Sequence, residues 1–178
     1  VQTMTAAGEV PGERLEPETA FARAYLASHA QTVRLAYLLT GDASRAEELA
    51  HDAWVNAYRR HRRQPIDDLI PYVRRAVVNA TRSRGRRSAL ERAYVKLVRS
   101  RDHSVAADES VLERDRILVV LNQLSQRMRT AVVLRHWLDL SVAETARLMG
   151  VTEGTVKSTV HDGLARLRTL LDEEDADG

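Results

Sequence analysis

The sequence predicts an all-α protein made of two small helical domains joined by a flexible linker, and three observations carry that prediction. Apolar residues recur at spacings of three and four along most of the 178 residues, while strand-like alternation is almost missing. The stretch "ALERAYVKLVRSRDHSVAADES", 89–110, loses apolar density and gains small and charged residues, as a linker does. Finally, "SVAETARLMGVTEGTVKS", 141–158, sets two short helical patterns around Gly150 with almost no loop between them. The implied division is a disordered tail over 1–16, a first domain over 17–88, the linker over 89–110, a second domain over 111–171 and an acidic tail over 172–178.

The first helix spans about Pro17 to Thr40, with Phe21, Tyr25, His29, Val33, Ala36 and Tyr37 at helical spacing. "TGD" closes it, Gly41 ending one helix and Asp42 or Ser44 opening the next. On the second helix Ala46, Leu49, Ala50, Ala53, Trp54 and Ala57 form an apolar stripe whose alanines admit a close partner. Its other face carries Glu47, Glu48, His51, Asp52 and Asn56. Pro65 and Pro71 break the pattern, making 61–71 a loop. A third helix, 72–87, then places Tyr72, Val73, Ala76, Val77 and Ala80 on one side, with Arg74, Arg75, Asn79 and Arg82 nearby.

In the second domain Leu112, Ile117, Val120, Leu121 and Leu124 make one stripe, and "RTAVVLRHWLDL" makes a further helix. Ser141 with Glu144 fits a capping box, Gly150 suits a left-handed cap, and Thr152 caps the last helix. That helix repeats Val156, Val160, Leu164, Leu167 and Leu171 and turns Thr155, Lys157, Ser158, His161 and Asp162 outward. Trp54 and Trp137 read as core residues.

Charge is segregated beneath a formal net charge of +2. Residues 81–101 hold eight Lys or Arg against one acid, whereas the tail "DEEDADG" has five acids and no base. A basic block of this kind points to a polyanionic partner for one part of the chain. With no cysteine, disulfides, thiol nucleophiles and Cys-based zinc sites are excluded. No apolar run approaches the roughly 18 to 20 residues of a membrane span, and "VQTMTAAGEVPGERLEPE" is acidic and not a basic-then-apolar leader, so the expectation is a cytoplasmic protein without membrane contact. There is no phosphate-cradling Gly-Lys loop, no His-Glu-x-x-His and no Gly-x-Ser-x-Gly, and the six histidines do not fall at metal-ligand spacing. No catalytic residue, metal or cofactor is therefore expected.

Two helices joined by a tight turn, the second presenting short polar and basic side chains, form a pattern suited to the major groove. An α-helix fits that groove, and its first turn points donors and the positive end of its dipole at phosphates and base edges. An ordinary corner between two helices has the same outline; the arginine block tips the reading toward DNA.

At this level the sequence resembles a family. The segment 121–171 resembles the fourth conserved region of bacterial sigma factors. "YLLTGDASRAEELAHDAWVNAYRRHRR" with "YVRRAVVNATRSRGRRS" resembles the second region, in the order and spacing of the extracytoplasmic-function (ECF) group. "YLLTGD" and "YVRRAVVN" are most similar to the SigE-like actinobacterial branch. The resemblance implies a sigma region 2 helical bundle, a sigma region 4 helix-turn-helix domain, and a non-catalytic specificity subunit that binds core RNA polymerase, recognises a two-part promoter and promotes melting.

Residue by residue, the resemblance implies that Glu47, Glu48, Asp52 and Asn56 meet the basic clamp helices of the largest polymerase subunit. His51 stands where relatives usually carry Gln. Asn79 would capture an extruded base of the downstream element, while Arg74, Arg75, Arg82, Arg84, Arg86 and Arg87 track phosphates. Lys157, Ser158, His161 and Asp162 would read the upstream element, with Thr155 and Arg135 toward phosphate. Thr159 and Asp162 depart from relatives that are often basic there, so the promoter sequence is not inherited. The implied partners are core RNA polymerase, promoter DNA in double- and single-stranded form, and an anti-sigma factor.

Two other readings compete: a helix-turn-helix regulator acting without core polymerase, and an RNA-binding or antitermination protein. The first gives no role to the acidic face of the second helix; the second predicts a preference for RNA. Replacing Arg84, Arg86 and Arg87 together by Ala is expected to weaken DNA binding and to flatten its log–log salt dependence by about 0.7 to 0.9 per lost phosphate contact. An unchanged slope in a salt titration would show that this run is not a DNA track.

Overall fold

The structure is a computed structural model that describes residues 17–85 and 117–176. The expected tail 1–16, the linker 89–110, Leu112, Arg86 and Arg87 lie outside the described residues. All regular structure among them is helical: α1 (Pro17–Thr40), α2 (Ala43–Arg63), α3 (Leu69–Gly85), α4 (117–123), α5 (Gln126–Val132), α6 (Val142–Met149) and α7 (Glu153–Ala176). Among the described residues no helix is long and apolar enough to cross a membrane.

The α1–α2 corner is fixed by local chemistry. Gly41 takes a left-handed φ of +71° and donates its N–H to the Tyr37 carbonyl at 2.8 Å. Of the two candidate caps it is Asp42 that works, its carboxylate accepting from the Arg45 N–H at 3.0 Å. Helix α2 then buries Ala46, Leu49, Ala50, Ala53, Trp54 and Ala57, the stripe read from the sequence.

On α1 the buried line differs from the expected one. Phe21, Leu35, Ala36 and Leu39 are buried together with Ser28 and Thr32, while Tyr25, His29, Val33 and Tyr37 sit at its margins. The two polar residues are inside because they are satisfied. Trp54 Nε1–H donates to Thr32 Oγ1 at 3.2 Å, and that hydroxyl donates to the Ser28 carbonyl at 2.8 Å. Phe21 and Tyr25 meet the indole edge-to-face at 5.7 and 5.3 Å.

Two corrections concern proline and tyrosine. The loop is 64–68 rather than 61–71, since α2 runs to Arg63 and α3 begins at Leu69. Pro71 lies in the first turn of α3, where its missing N–H has no intrahelical partner to lose. Tyr72 is 37% exposed rather than inward, and Val78 takes the buried place beside Val73 and Val77.

The second domain turns on a buried cation. Arg129 is only 2% exposed. Its guanidinium donates to the carbonyls of Leu121 (2.8 Å), Asn122 (2.8 Å) and Leu124 (3.3 Å), and reaches Leu39 at the end of α1 (3.2 Å). A buried guanidinium needs such acceptors, and helix C-termini supply carbonyls that lack intrahelical donors. Ser125 caps α5, whose continuation Val133–Trp137 loosens into a π turn in place of the regular helix expected. Here Leu138 N–H bonds back to the Val133 carbonyl at 3.2 Å, and Asp139 has a φ of +50°. Ile117 is 55% exposed rather than part of the core stripe, whereas Trp137 is half-buried and packs against the core as expected. On α7 the inward line is Val156, Thr159, Gly163 and Leu170, whereas Leu164 and Leu171 are partly exposed. The helix also continues through the acidic residues to Ala176.

The two domains pack against each other: α3 meets α6, α1 meets α5, and one continuous hydrophobic core draws residues from both.

A Cβ on Gly163 would stand 2.8 Å from Val132 Cγ2, a methyl on a stiff β-branched side chain, whereas one on Gly154 would meet only Thr152 Oγ1 at 3.9 Å. Ala is favoured over Gly in a helix by about 0.8 to 1 kcal/mol, but overpacking costs about 1 to 3 kcal/mol. Gly163→Ala is therefore expected to lower stability and Gly154→Ala to leave it unchanged or raise it, as read by urea unfolding.

Candidate nucleic-acid interface

The short helix α6 is held at both ends. Ser141 Oγ accepts from the Glu144 N–H at 3.2 Å, while the Glu144 carboxylate accepts from the Ser141 N–H at 2.8 Å and its hydroxyl at 2.6 Å. Gly150 takes the left-handed conformation, φ +62° and ψ +43°, and Val151 N–H returns to the Ala146 carbonyl at 3.1 Å. Next, Thr152 Oγ1 accepts from the Thr155 N–H at 3.2 Å and lies 2.9 Å from the Thr155 hydroxyl. This turn leaves no slack, so α7 leaves α6 at a fixed angle.

That angle sets the outward face of α7. Lys157, Ser158, His161 and Asp162 are all exposed and fall at spacings of one, three and four, which places them on one face. Val156, Thr159 and Gly163 lie on the other side, so Thr159 belongs to the core. Thr155 is half-buried, with its hydroxyl in the cap. Arg135 is not gathered onto this face: its guanidinium donates to the Leu140 carbonyl, just ahead of the α6 cap.

A second polar face lies on α2, where Glu47, Glu48, His51, Asp52 and Asn56 are exposed opposite the alanine stripe. The third belongs to α3. Arg75, Asn79 and Arg82 are exposed and follow one another at helical spacing. Arg74 is half-buried and donates to Gln31 Oε1 at 3.0 Å. Arg82 donates to the Met149 carbonyl at the end of α6. Arg84 is in the last turn of α3; of its side chain nothing is described. Between α3 and α6 runs a groove of about 360 Å³, lined by Tyr72, Arg74 and Arg75 on one wall and by Leu140, Glu144 and Arg147 on the other.

Burial pulls the Arg74 pKa down and the Glu144 carboxylate opposes that pull. Arginine stays charged regardless, because its ordinary value is so high. Glu144 is held below the usual carboxylate range, first by the Ser141 hydroxyl, then by the Ser141 backbone, with smaller help from Arg147 and Arg74. Two residues of structural consequence escaped the sequence reading. His61 Nδ1 accepts from the Ile66 N–H at 3.0 Å and so pins the 64–68 loop, while its buried Nε2 has no partner among the described residues. Arg129 is not singled out by composition or motif, yet its register three and four residues before Val132 and Val133 could have marked it as inward-facing.

Comparison with known proteins identifies the family. Residues 114–167 match the family described as sigma-70, region 4. The RNA polymerase sigma-E factor of Streptomyces avermitilis is 36% identical over 147 residues, covering 82% of this chain and 81% of that protein. The ECF RNA polymerase sigma factor SigM of Mycobacterium tuberculosis is 34% identical over 167 residues, 93% of this chain and 82% of its own length. This chain belongs to the ECF sigma factors of RNA polymerase. Its fold agrees with that of solved structures. Sigma factor RpoE of Bartonella quintana, in complex with the anti-sigma factor NepR, has a TM-score of 0.69 at 23% identity over 86% of this chain and 98% of that one. CnrH, in complex with the cytosolic domain of CnrY, gives 0.65 at 20% identity, covering 88% and 90%. A sigma factor is a non-catalytic specificity subunit of RNA polymerase.

Because the folded pKa of Glu144 in this sigma factor is lowered, its contribution is complete above the ordinary glutamate value of about 4.3 and fades as pH falls through the lowered one. Gln can hold the same cap without titrating. Thermal unfolding of the wild type against Glu144→Gln should show a constant stability difference from neutral pH to that range, closing below it; a difference independent of pH down to 2.5 would deny the charge a role.

Proposed function

We propose that this sigma factor docks on core RNA polymerase through the acidic face of α2, reads an upstream promoter element with α7, and holds a melted downstream element on α3 and the 64–68 loop. The reading is carried by one observation: both α2 and α7 turn a complete polar face outward while committing the opposite face to the core.

On α2, Glu48, Asp52 and Asn56 stand four residues apart along one line, with Glu47 and His51 beside it. Carboxylates so arrayed complement a basic helical partner, speeding encounter and fixing orientation. On α7, Lys157 can donate to guanine or phosphate, Ser158 and His161 to base edges, and Asp162 can accept from a cytosine amino group. On α3, Asn79 offers an amide that both donates and accepts, the chemistry required to hold the edge of an extruded base, and Arg75 and Arg82 lie on the same side for its phosphates. The chain's relatives are named as polymerase sigma factors, and one structural neighbour is a sigma factor in complex with an anti-sigma factor; an anti-sigma factor is accordingly proposed as a further partner here.

Two variants separate the roles. Reversing Glu48 and Asp52 to Lys is expected to weaken core binding by roughly tenfold or more, chiefly through slower association and most strongly at low salt. Lys157→Ala should leave core binding intact and lower transcription from the cognate promoter by about tenfold, the scale of one lost base or phosphate contact. Fluorescence anisotropy with core polymerase and run-off transcription read the two effects, and equal loss of both in Lys157→Ala would contradict the division of labour.

A further inference from the structure

The loop 64–68 joins α2 to α3 with Gln64, Pro65, Asp67 and Asp68 exposed and Ile66 half-buried. Even so short a connection can shift unless its backbone is tied. Two of its ties are local. Gln64 N–H donates to the Arg60 carbonyl at 2.9 Å, and the Asp68 carbonyl accepts from the Tyr72 N–H at 3.2 Å, each bond continuing the turn of a flanking helix. The third tie is of another kind. Ile66 N–H, at the middle of the loop, donates to Nδ1 of His61 in the last turn of α2 at 3.0 Å. Pro65 beside it has no N–H to offer, so the centre of the loop is held by this bond and by the Ile66 side chain packed against the core.

The chemistry of the imidazole shows what the histidine is for. To accept at Nδ1 the ring must be neutral and carry its proton on Nε2. That Nε2 is buried and has no partner among the described residues. The ring lies 5.8 Å from Phe21, which also contacts Trp54 and Tyr58. A buried N–H without an acceptor costs free energy, and an apolar side chain in these surroundings would avoid that cost. Packing alone therefore does not account for a histidine at 61, whereas the Nδ1 acceptor does.

The far end of the loop opens a line of exposed side chains. Asp68, Tyr72, Arg75, Asn79 and Arg82 follow one another at spacings of four, three, four and three. This is the side of α3 assigned above to the melted strand, and the loop sets where it begins. Polar groups that must engage one ligand together need placement to about 0.5 Å. We propose that His61 is a positioning residue for promoter opening: it touches no DNA, and its Nδ1 fixes the 64–68 loop where the loop and the α3 line can engage the extruded strand together. The role rests on the functional reading of the loop given above; the bond to Ile66 stands without it.

Three substitutions separate positioning from packing. His61→Leu fills the apolar surroundings while removing both the acceptor and the orphan donor. His61→Asn loses bulk, but its amide oxygen can stand where Nδ1 does. His61→Gln carries its amide one atom further, to the place of Nε2. A residue that only filled space would tolerate Leu best and Asn worst; a positioning residue reverses that order.

Opening is read with core polymerase and a promoter fragment recovered with it from the organism's DNA, by the fluorescence of 2-aminopurine placed in the downstream element. Leu and Gln are expected to lower the opened fraction about three- to tenfold, the factor of one hydrogen bond, and Asn to restore it. Binding to core polymerase and to upstream duplex should be alike in all four proteins. Opening by Leu or Gln that equals or exceeds that of Asn overturns the positioning role. The function of the loop is read separately, with p-benzoylphenylalanine in place of the exposed Asp67, which should crosslink to the melted strand of the open complex. Absence of that crosslink overturns the reading of the loop, and the role of His61 with it. A crosslink accompanied by Leu or Gln at or above Asn overturns the role of His61 alone.

Discussion

Burying the Arg129 guanidinium is the constraint on which the second domain, and its seat on the first, depend. A charge out of water is tolerated only with its donors satisfied, and removal of one partner from such a site is costly. Here the carbonyls come from the end of α4 and the end of α1. Their position fixes the α4–α5 corner and the rotation of α5. From α5 the order passes through the π turn, where Arg135 reaches the Leu140 carbonyl, to the α6 cap and on to α7. The direction in which Lys157 and His161 face is thus set some thirty residues upstream, by a polar group in the core rather than by the helix-turn-helix alone.

Small residues do the complementary work of letting backbones approach. Alanines at 46, 50, 53 and 57 bring α2 against α1, and Gly163 brings α7 against α5. With the inner faces consumed by packing at that distance, the outer faces are free to carry charge, which is why a rigid bundle and a recognition surface occupy the same helices. Gly41 serves twice, supplying the left-handed turn between α1 and α2 and the gap into which Asn122 fits.

Much of this was written in local patterns. The α2 stripe was legible because one face is almost purely apolar and the other acidic, and the α6–α7 turn because Ser141, Glu144, Gly150 and Thr152 each have a specific capping role. Pro71 misled because proline breaks helices everywhere except the first turn, where its missing donor costs nothing. On α1, Thr32 and Ser28 were passed over because a hydroxyl looks solvent-facing until the indole of Trp54, 22 residues away, becomes its partner. The Arg82–Met149 and Arg129–Leu39 pairs join residues 67 and 90 positions apart through backbone carbonyls, which have no sequence signature. For the site, the faces of α2 and α7 followed from periodicity, whereas the engagement of Arg74, Arg82 and Arg135 with protein groups required the fold.

Size-exclusion chromatography of the protein mixed with core RNA polymerase, followed by sequencing of the genomic DNA that the complex retains, decides whether these faces act as proposed. The account predicts co-elution as a stable complex and enrichment of a two-part motif with a fixed spacing. A protein that elutes apart from core polymerase while enriching a single site by itself would contradict it, and would make the chain a helix-turn-helix regulator on a sigma-factor scaffold.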